Sequence, residues 1–190
     1  MEERALSTLK VILNDRGVTS DSFETLGSTL DETKMYLFGG VLILFSTKAR
    51  ISDKDLTTFI QYAKDNSYSA GMIIVGLSKP SEAVINSLRT YISQKDVPLV
   101  HLFEIRHLQL QYGKHVKVPK HRIVQENELE GILKTENAKH PSMFRKIDSQ
   151  DPMAKWTGAR PGDVLEVTGM CESSIENKHY LFCMADVVNG

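Results

Sequence analysis

Residues 151–162 read DPMAKWTGARPG and continue as DVLEV at residues 163–167. Local chemistry assigns a role to almost every residue of this stretch, which decides the fold of the C-terminal part of the chain. Asp151 suits the N-cap of a helix whose first position is Pro152, where the missing N–H costs nothing. Gly158 supplies the left-handed residue that ends such a helix after little more than one turn. The stretch therefore predicts a cap, a short helix and an abrupt stop.

A tight turn and a strand are predicted to follow that helix. Pro161 and Gly162 suit the two central positions of a type II turn, because proline fixes φ at the first and glycine accepts a positive φ at the second. The alternation of residues 164–167, VLEV, is typical of a strand. We expect this strand, over residues 164–169, to pair with a second one over residues 179–187.

Two motifs lie in the C-terminal part of the chain, after residue 114. The first begins with Asp151-Pro152 and ends with GARPGDV at residues 158–164, a G-x-x-x-G-D-V pattern. The second is HVKVPKH at residues 115–121, an H-x-x-V-P-K-H pattern. In this order, with a helical segment between them, they resemble the C-terminal domain of the fifth common subunit of eukaryotic nuclear RNA polymerases and its archaeal counterpart, which lacks the eukaryotic N-terminal domain. The opening helix, with TLKVILNDRGV at residues 8–18, resembles the start of that N-terminal domain.

Composition and charge bound the class of protein. The chain has 190 residues, enough for one ordinary domain or two small ones. Its net charge is −1, and from residue 114 onward basic and acidic residues both number 11. A free-standing nucleic-acid binder needs an excess of basic residues, since phosphate neutralisation supplies its affinity. The charge balance therefore argues against that class.

No signal peptide and no membrane span are predicted. The start, MEERALSTLK, lacks an apolar core, and the longest apolar run, residues 41–45, is strand-sized. Cys171 and Cys183 are expected to flank a hairpin loop. A disulfide and reduced structural thiols both fit that placement, and the reduced form is favoured in a cytosolic or nuclear chain.

The first part of the chain predicts a sheet covered by helices. Its expected elements are a helix over residues 2–14, strands over 34–38 and 41–45, a helix after Ser52, a strand over 70–77, a helix from Pro80 and a strand over 97–103. Gly39-Gly40 signals a hairpin turn, and Asp55, three residues after Ser52, resembles a capping box. Strand, helix, strand is a right-handed crossover, so residues 41–103 predict a parallel or mixed sheet.

The composition of the sequence changes near Gly113, since four of the six prolines follow this residue. We place a domain boundary there, between an α/β domain over residues 1–113 and a small α+β domain over residues 114–190. The expected elements of the second domain are strand-like pieces at residues 116–118 and 123–124 and a helix over residues 126–134 with Leu129, Ile132 and Leu133 facing inward.

No catalytic, cofactor or metal site is predicted. The six histidines lack ligand spacing, since even His115 and His121 are separated by a proline and have no cysteine nearby. A nuclease on an α/β scaffold needs paired carboxylates and a lysine at neighbouring strand ends to hold a divalent metal. The strand ends here offer Glu104, Ser78 and Lys79, which do not form that set. Nucleotide-binding and hydrolase motifs are also missing from the sequence.

The basic segment, KHVKVPKHR at residues 114–122, holds four permanent cations, two histidines and no acid. Three roles fit it, which are protection of a strand edge, contact with phosphates and docking onto an acidic protein surface. Because the whole chain is close to neutral, docking is the favoured interpretation. Trp156, the single tryptophan, is expected either in the core or as an interface anchor.

The resemblance implies a non-catalytic subunit of a nuclear multisubunit RNA polymerase, without cofactor, membrane contact or small-molecule substrate. Residues 114–190 would assemble on the largest subunit, beside neighbouring small common subunits. Residues 1–113 would form part of the lower jaw, a nuclease-like scaffold without an active site, near downstream duplex DNA. The residues implied at the docking surface are His115, Val118, Pro119, Lys120, His121, Asp151, Pro152, Trp156, Gly158, Gly162 and Asp163. Any contact with DNA, only within the complex, is expected from basic residues in loops of the first domain, namely Lys48, Arg50 and Lys79.

Departures from the family pattern predict a divergent member. Residues 144–147, FRKI, lack the family's proline, and Leu181 replaces the arginine expected after Tyr180. The hairpin, with Met170 and Ile175, is less basic and more apolar than the family's, and residues 185–190 extend past the usual end. Two other interpretations remain open. One is a stand-alone adaptor that uses the C-terminal fold to bind another protein, and the other is an inactive nuclease-like DNA-binding module.

Overall fold

The fold divides the chain into two compact units, residues 1–111 (unit 1) and 112–190 (unit 2). A computed structural model describes residues 1–27, 30, 32–94, 97–171 and 174–186. Tyr112 and Gly113 belong to unit 2, although the composition places them before the boundary, because both pack on Trp156 of unit 2. Within the described ranges, no helix has the length and apolar character needed to cross a bilayer.

Unit 1 is built on a five-stranded mixed sheet in the order β1-β2-β3-β4-β5. Its elements are α1 (Glu2–Asp15), β1 (Glu24–Leu26), β2 (Thr33–Phe38), β3 (Val41–Ser46), α2 (Asp53–Asp65), β4 (Met72–Gly76), α3 (Glu82–Ile92) and β5 (Val100–Glu104). The first two strand pairs are antiparallel and the last two parallel, which confirms the predicted mixed sheet. The sequence prediction lacks β1, which has only three residues and no apolar alternation.

Both faces of this sheet are covered, as the apolar run of β4 predicts. On one face α2 and α3 pack through Leu56, Phe59 and Leu88 against alternate residues of the strands. Residues on the second face meet α1, since the Tyr36 hydroxyl donates to Glu2 at 2.6 Å and Arg16 Nη2 donates to His101 Nδ1 at 2.9 Å. The sheet is therefore the central layer of unit 1.

The predicted hairpin turn between β2 and β3 is confirmed. Gly39 and Gly40 have φ of 54° and 84°, the two positive values that a two-residue type I′ turn requires. A Cβ on Gly39 would also lie 2.5 Å from Val18 Cγ1. By contrast, the start of α3 differs from the prediction, which placed it at Pro80. The helix begins at Glu82, because the preceding serine caps it by accepting the Val84 N–H.

The predicted capping box at the start of α2 is confirmed, and it includes a lysine that the sequence analysis placed near DNA. Asp55 Oδ2 accepts the Ser52 N–H at 2.9 Å, and the Ser52 hydroxyl accepts the Asp55 N–H at 3.3 Å. Lys48 Nζ lies 2.5 Å from Asp55 Oδ1. Burial works to raise the pKa of Asp55, but hydrogen bonds from Lys48 and Ser52 outweigh it and lower the pKa to about 2.

The lowered pKa of Asp55 predicts a pH-dependent contribution to stability. Since the folded pKa lies below the ordinary value of 3.8, the contribution is present above about pH 4 and is lost as the pH falls towards 2. We expect Asp55→Asn to lower the free energy of unfolding by about 1 kcal/mol at neutral pH. That difference from wild type should vanish near pH 2.

Denaturant titrations of the two proteins at several pH values check this expectation. Asp53→Asn is the matched control, because Asp53 is exposed in the same first helical turn. A stability gap for Asp55→Asn that persists unchanged at pH 2, or one that Asp53→Asn reproduces, would contradict the assigned role.

Unit 2 is built on a four-stranded mixed sheet in the order β6-β8-β9-β7. Its elements are β6 (Lys120–Ile123), α4 (Glu126–Thr135), β7 (Arg145–Asp148), α5 (Pro152–Thr157), β8 (Val164–Cys171) and β9 (Ser174–Met184). The β7–β9 pair is parallel and the other two pairs are antiparallel. The core beneath α5 contains Ile147, Ala154, Ala159, Leu165 and Cys183. The predicted small α+β fold is thus present.

Three details of unit 2 differ from the sequence prediction. Residues 116–118 form a turn instead of a strand, because the Val118 N–H returns to the His115 carbonyl at 2.9 Å. The strand β9 begins at Ser174, earlier than the predicted start at residue 179, while Val187 lies outside the described residues. The apolar side chains predicted to face inward from α4 are half-buried rather than fully covered.

The cysteine prediction is tested only for Cys183, because the side chain of Cys171 lies outside the described residues. Cys183 is a free, fully buried thiol. Burial, with smaller contributions from Asp163, Asp148 and Asp151, raises its pKa to about 12. Because the thiolate is the reactive form, this thiol is inert at neutral pH.

Candidate docking surface

The stretch at residues 151–158 folds as its sequence predicts. Asp151 Oδ1 accepts the Met153 N–H at 2.8 Å and caps α5, whose first residue is Pro152. Gly158 ends the helix with φ 80° and ψ 24°. The N–H groups of Gly158 and Ala159 both return to the Ala154 carbonyl, at 3.1 and 3.0 Å. These motif residues therefore shape a helix of six residues.

The turn that follows is also confirmed. The Asp163 N–H donates to the Arg160 carbonyl at 3.0 Å across Pro161 and Gly162, and Gly162 has φ 104°. The Gly162 N–H and the Asp163 carbonyl each bond to the backbone of Cys183 on β9, at 2.9 and 2.8 Å. The turn thereby fixes the start of β8 against the end of β9.

Asp163 serves this turn through its side chain. Its Oδ2 accepts the Arg160 N–H at 2.7 Å. Burial raises the pKa of Asp163, although the hydrogen bond from the Arg160 backbone partly opposes that shift. Because the Asp163 carboxyl group is bonded within its own turn, it stabilises the local shape of the unit 2 surface.

We expect Gly162→Val to lower the free energy of unfolding by about 1–3 kcal/mol, because valine strongly disfavours the positive φ at this position. A Cβ at Gly162 would meet no atom within 4 Å, so the cost is conformational rather than steric. Gly162→Asn should cost less, since asparagine tolerates positive φ better than a β-branched residue. Thermal melts of the two variants measure the difference, and equal losses would contradict the turn assignment.

Trp156 packs against the residues that directly precede the basic segment. Its indole is buried, with 3% of its surface exposed. The Tyr112 ring lies edge-on to it at 4.8 Å between centroids, and the Tyr112 hydroxyl donates to the Pro152 carbonyl at 3.1 Å. A Cβ on Gly113 would lie 2.4 Å from Trp156 Cε2. Of the two roles that the sequence left open for Trp156, packing is the one that the structure supports.

The basic segment leaves this anchor and enters the sheet. His115 Nδ1 accepts the Lys117 N–H at 3.2 Å, and His121 Nδ1 donates to the Pro119 carbonyl at 2.8 Å. Pro119 lies beside Gly169 of β8, where an added Cβ would be 3.6 Å from the proline ring. Lys120 then pairs with Thr168 as the first residue of β6. The histidines and the proline of the motif therefore hold the backbone in place.

One cation of the basic segment, Arg122, is paired with carboxylates of unit 2. Arg122 Nε and Nη2 donate to the two carboxylate oxygens of Glu166 at 3.0 and 2.9 Å, directly across the β6–β8 pair. Arg122 Nη1 also reaches Glu128 Oε2 at 2.7 Å. The hydrogen bonds that Arg122 donates to these carboxylates raise its own pKa, and the bond to Glu128 lowers the pKa of that carboxyl group. Arg122 thus stabilises the sheet, while Lys117 and Lys120 are exposed.

The three cations that the sequence analysis placed near DNA lie in loops at the carboxyl end of the parallel strands. Lys48 is half-buried and engaged by Asp55, whereas Arg50 and Lys79 are exposed. The Ser78 hydroxyl donates to the Ala49 carbonyl at 2.6 Å and joins the two loops. Across the described ranges, no group of three or more His, Cys, Asp or Glu side chains is arranged to hold a metal ion.

Several residues that build this surface carry no signal in the sequence. Nothing in local patterning links Gly113 to Trp156, and no spacing rule pairs Arg122 with Glu166. Leu181, which stands where the family pattern has arginine, packs against the core of unit 2. The side chains of Met170 and Ile175, two other departures in the hairpin, lie outside the described residues.

Known proteins are similar to this chain in the part that contains both motifs. A family model described as RNA polymerase Rpb5, C-terminal domain, matches residues 110–182. The chain is 35% identical over 81 residues to DNA-directed RNA polymerases IV and V subunit 5B of Arabidopsis thaliana, a match that covers 43% of this chain and 37% of the plant protein. It is 36% identical over 72 residues to DNA-directed RNA polymerase subunit Rpo5 of Aeropyrum pernix, covering 38% of this chain and 79% of that protein.

A second archaeal relative extends this agreement. The chain is 35% identical over 73 residues to the Rpo5 subunit of Archaeoglobus fulgidus, a match that covers 38% of this chain and 95% of the archaeal protein. The family match at residues 110–182 lies almost wholly within unit 2 and contains both motifs. The chain is therefore a divergent member of the family formed by the Rpb5 C-terminal domain and the archaeal Rpo5 subunits.

Proposed function

We propose that this chain is a non-catalytic structural subunit of a multisubunit DNA-directed RNA polymerase. The observation that carries the proposal is the family match at residues 110–182, together with a match that covers 95% of one archaeal polymerase subunit. The folded motifs support a structural role. Their aspartates, glycines and histidines cap, turn and anchor the backbone instead of presenting a reactive group. A nuclear location belongs to the same proposal.

In this proposal unit 2 assembles on the largest polymerase subunit, beside neighbouring small common subunits. The exposed part of the basic segment and the surface shaped by α5 are the elements available for docking. Trp156 contributes from within, because its buried indole holds the start of the basic segment. Protein docking suits this surface better than phosphate binding, since acidic and basic residues are equal in number from residue 114 onward and give no excess positive charge.

In the same proposal unit 1 forms part of the lower jaw near downstream duplex DNA. The exposed Arg50 and Lys79, on loops joined by the Ser78–Ala49 hydrogen bond, are the side chains available for phosphates. Lys48 contributes less, because its ammonium is already paired with Asp55. Contacts of this number act only when the rest of a polymerase holds the duplex nearby, where effective concentration replaces affinity.

Affinity purification of the tagged chain from its own cells, followed by mass spectrometry, tests the proposal. We expect the largest polymerase subunit and further polymerase subunits in stoichiometric amounts. A stable complex with a different protein, free of polymerase subunits, would favour the stand-alone adaptor and overturn the proposal.

The isolated chain is expected to bind duplex DNA weakly and to lack nuclease activity. One or two phosphate contacts give a slope of log K against log salt of about −1 to −2. Binding measured across salt concentrations, together with incubation in Mg²⁺ or Mn²⁺, checks both statements. Tight binding at physiological salt, or metal-dependent cleavage that Glu104→Gln abolishes, would favour an autonomous DNA-acting protein instead.

A further inference from the structure

The tip of the basic segment, Val116 and Lys117, is exposed on unit 2. Val116 is 93% exposed, more than Leu110, Met143 or any other large apolar side chain among the described residues. Lys117 beside it is also exposed. A single exposed aliphatic residue is ordinary on a protein surface, so exposure alone assigns no role. The way in which the backbone holds this tip is what distinguishes it.

The tip is fixed from both sides. On its N-terminal side a 3-10 turn over Tyr112–Lys114 lies on Trp156, where only glycine fits at residue 113. On its C-terminal side Pro119 lies close to Gly169, where an added Cβ would be 3.6 Å from the proline ring, and β6 begins at the next residue. Docking elements that are already ordered bind with a smaller loss of conformational entropy than flexible loops.

Hydrogen bonds within the segment also hold the tip. The His115 carbonyl accepts the Val118 N–H at 2.9 Å, and the ring of His115 accepts the Lys117 N–H at 3.2 Å. These two hydrogen bonds hold Val116 within a turn, and its side chain is exposed to solvent. Valine adds stiffness of its own, because branching at Cβ restricts its rotamers.

The charge around the tip indicates the chemistry of its partner. Residues 114–122 contain no acid, and the charge of Arg122, at the far end of the segment, is neutralised by the two carboxylates of Glu166 and Glu128. An aliphatic side chain at the apex has no favourable contact with a phosphate backbone, whereas it can fill an apolar depression on a protein. Acidic groups around that depression would complement the exposed lysines.

We propose that Val116 and Lys117 are the contacting residues of the docking surface and that they insert into an apolar depression rimmed by acidic side chains. The motif residues His115, Pro119 and His121 position this tip without touching the partner. The identity of that partner as the largest polymerase subunit rests on the proposed function. The segment thus separates into residues that make contact and residues that hold the backbone.

Substitutions at the tip of the full-length chain test this inference. We expect Val116→Asp and Lys117→Glu each to reduce co-purification of the largest polymerase subunit at least tenfold, with thermal melts unchanged because both side chains are exposed. Lys117→Arg should retain co-purification, since it keeps the charge. Met143→Asp is the matched control, because Met143 is another exposed apolar residue of unit 2 and should have no effect.

A photo-crosslinking amino acid at position 116 identifies what the tip touches. We expect a crosslink to a segment of the largest subunit with net negative charge, and none from the same probe at position 143. Normal co-purification of the tip variants, or a crosslink to nucleic acid, would overturn the docking inference and leave the polymerase-subunit proposal standing. Failure of the wild-type chain to co-purify with polymerase would overturn both.

Discussion

Replacement of Trp156 by alanine is expected to lower the free energy of unfolding of unit 2 by about 3–5 kcal/mol, the usual cost of removing a large buried aromatic side chain. The indole is 3% exposed and contacts both Tyr112 and Gly113. Domains as small as unit 2 have marginal stability, commonly about 5–15 kcal/mol. The substitution should therefore leave a unit that is partly unfolded or close to it.

Hydrogen exchange of the full-length chain measures this effect separately in the two units. Amide protection should collapse in β8 and β9 of unit 2 and persist in β3 and β4 of unit 1. Trp156→Phe is the control, because a smaller ring preserves part of the apolar contact and should cost less. Unchanged protection of β8 and β9 in the alanine variant would contradict the placement of Trp156 in the core.

Gly113→Ala is expected to destabilise unit 2 through steric overlap with the same indole. The added Cβ would lie 2.4 Å from Cε2, 2.5 Å from Cδ2 and 2.9 Å from Cζ2 of Trp156. Overpacking of a filled core costs about 1–3 kcal/mol, and a buried ring held by Tyr112 has little room to move. We therefore expect a loss at the upper end of that range.

Gly131→Ala is the matched control for this substitution. Gly131 lies in α4, and a Cβ there would meet no atom within 4 Å. Alanine in a helix is favoured over glycine by about 0.5–1 kcal/mol, so the same chemical change should stabilise unit 2 at this position. Denaturant titrations measure both variants. A Gly113→Ala protein as stable as wild type would refute the close packing between residues 113 and 156.

Local chemistry predicted those parts of the fold in which neighbours in sequence determine the backbone. The Gly39-Gly40 hairpin, the Ser52 capping box and the cap, helix and turn around α5 each depend on a few adjacent residues. Their outcomes follow from positive φ, side-chain capping and the missing N–H of proline. The parallel strands of unit 1 could also be predicted from the sequence, because buried parallel strands form uninterrupted apolar runs.

Contacts between distant residues account for what the sequence did not predict. β1 and β7 have only three and four residues and exist because a longer strand pairs with each of them. Residues 116–118 alternate like a strand, yet the hydrogen bonds of His115 close them into a turn. The basic segment also offers less charge for docking than its four cations suggest, because Arg122 faces Glu166 across the sheet.

The candidate site shows the same division. Several motif residues, including Asp151, Gly158, Gly162 and Asp163, could be identified from their pattern, but their contacts lie inside unit 2. A motif does not separate residues that shape a surface from residues that touch a partner, so the docking role of these residues stays a prediction. Val116 and Lys117 lie at variable positions of the H-x-x-V-P-K-H pattern, so no motif signal marked them.

Capture by the largest polymerase subunit is the most direct test of the central claim that this chain assembles into a polymerase through unit 2. The measurement compares three tagged proteins, the full chain, residues 1–111 and residues 112–190, for binding to that subunit. We predict equal capture of the full chain and residues 112–190, and none of residues 1–111. Capture that requires residues 1–111, or no capture of any of the three, would contradict the claim.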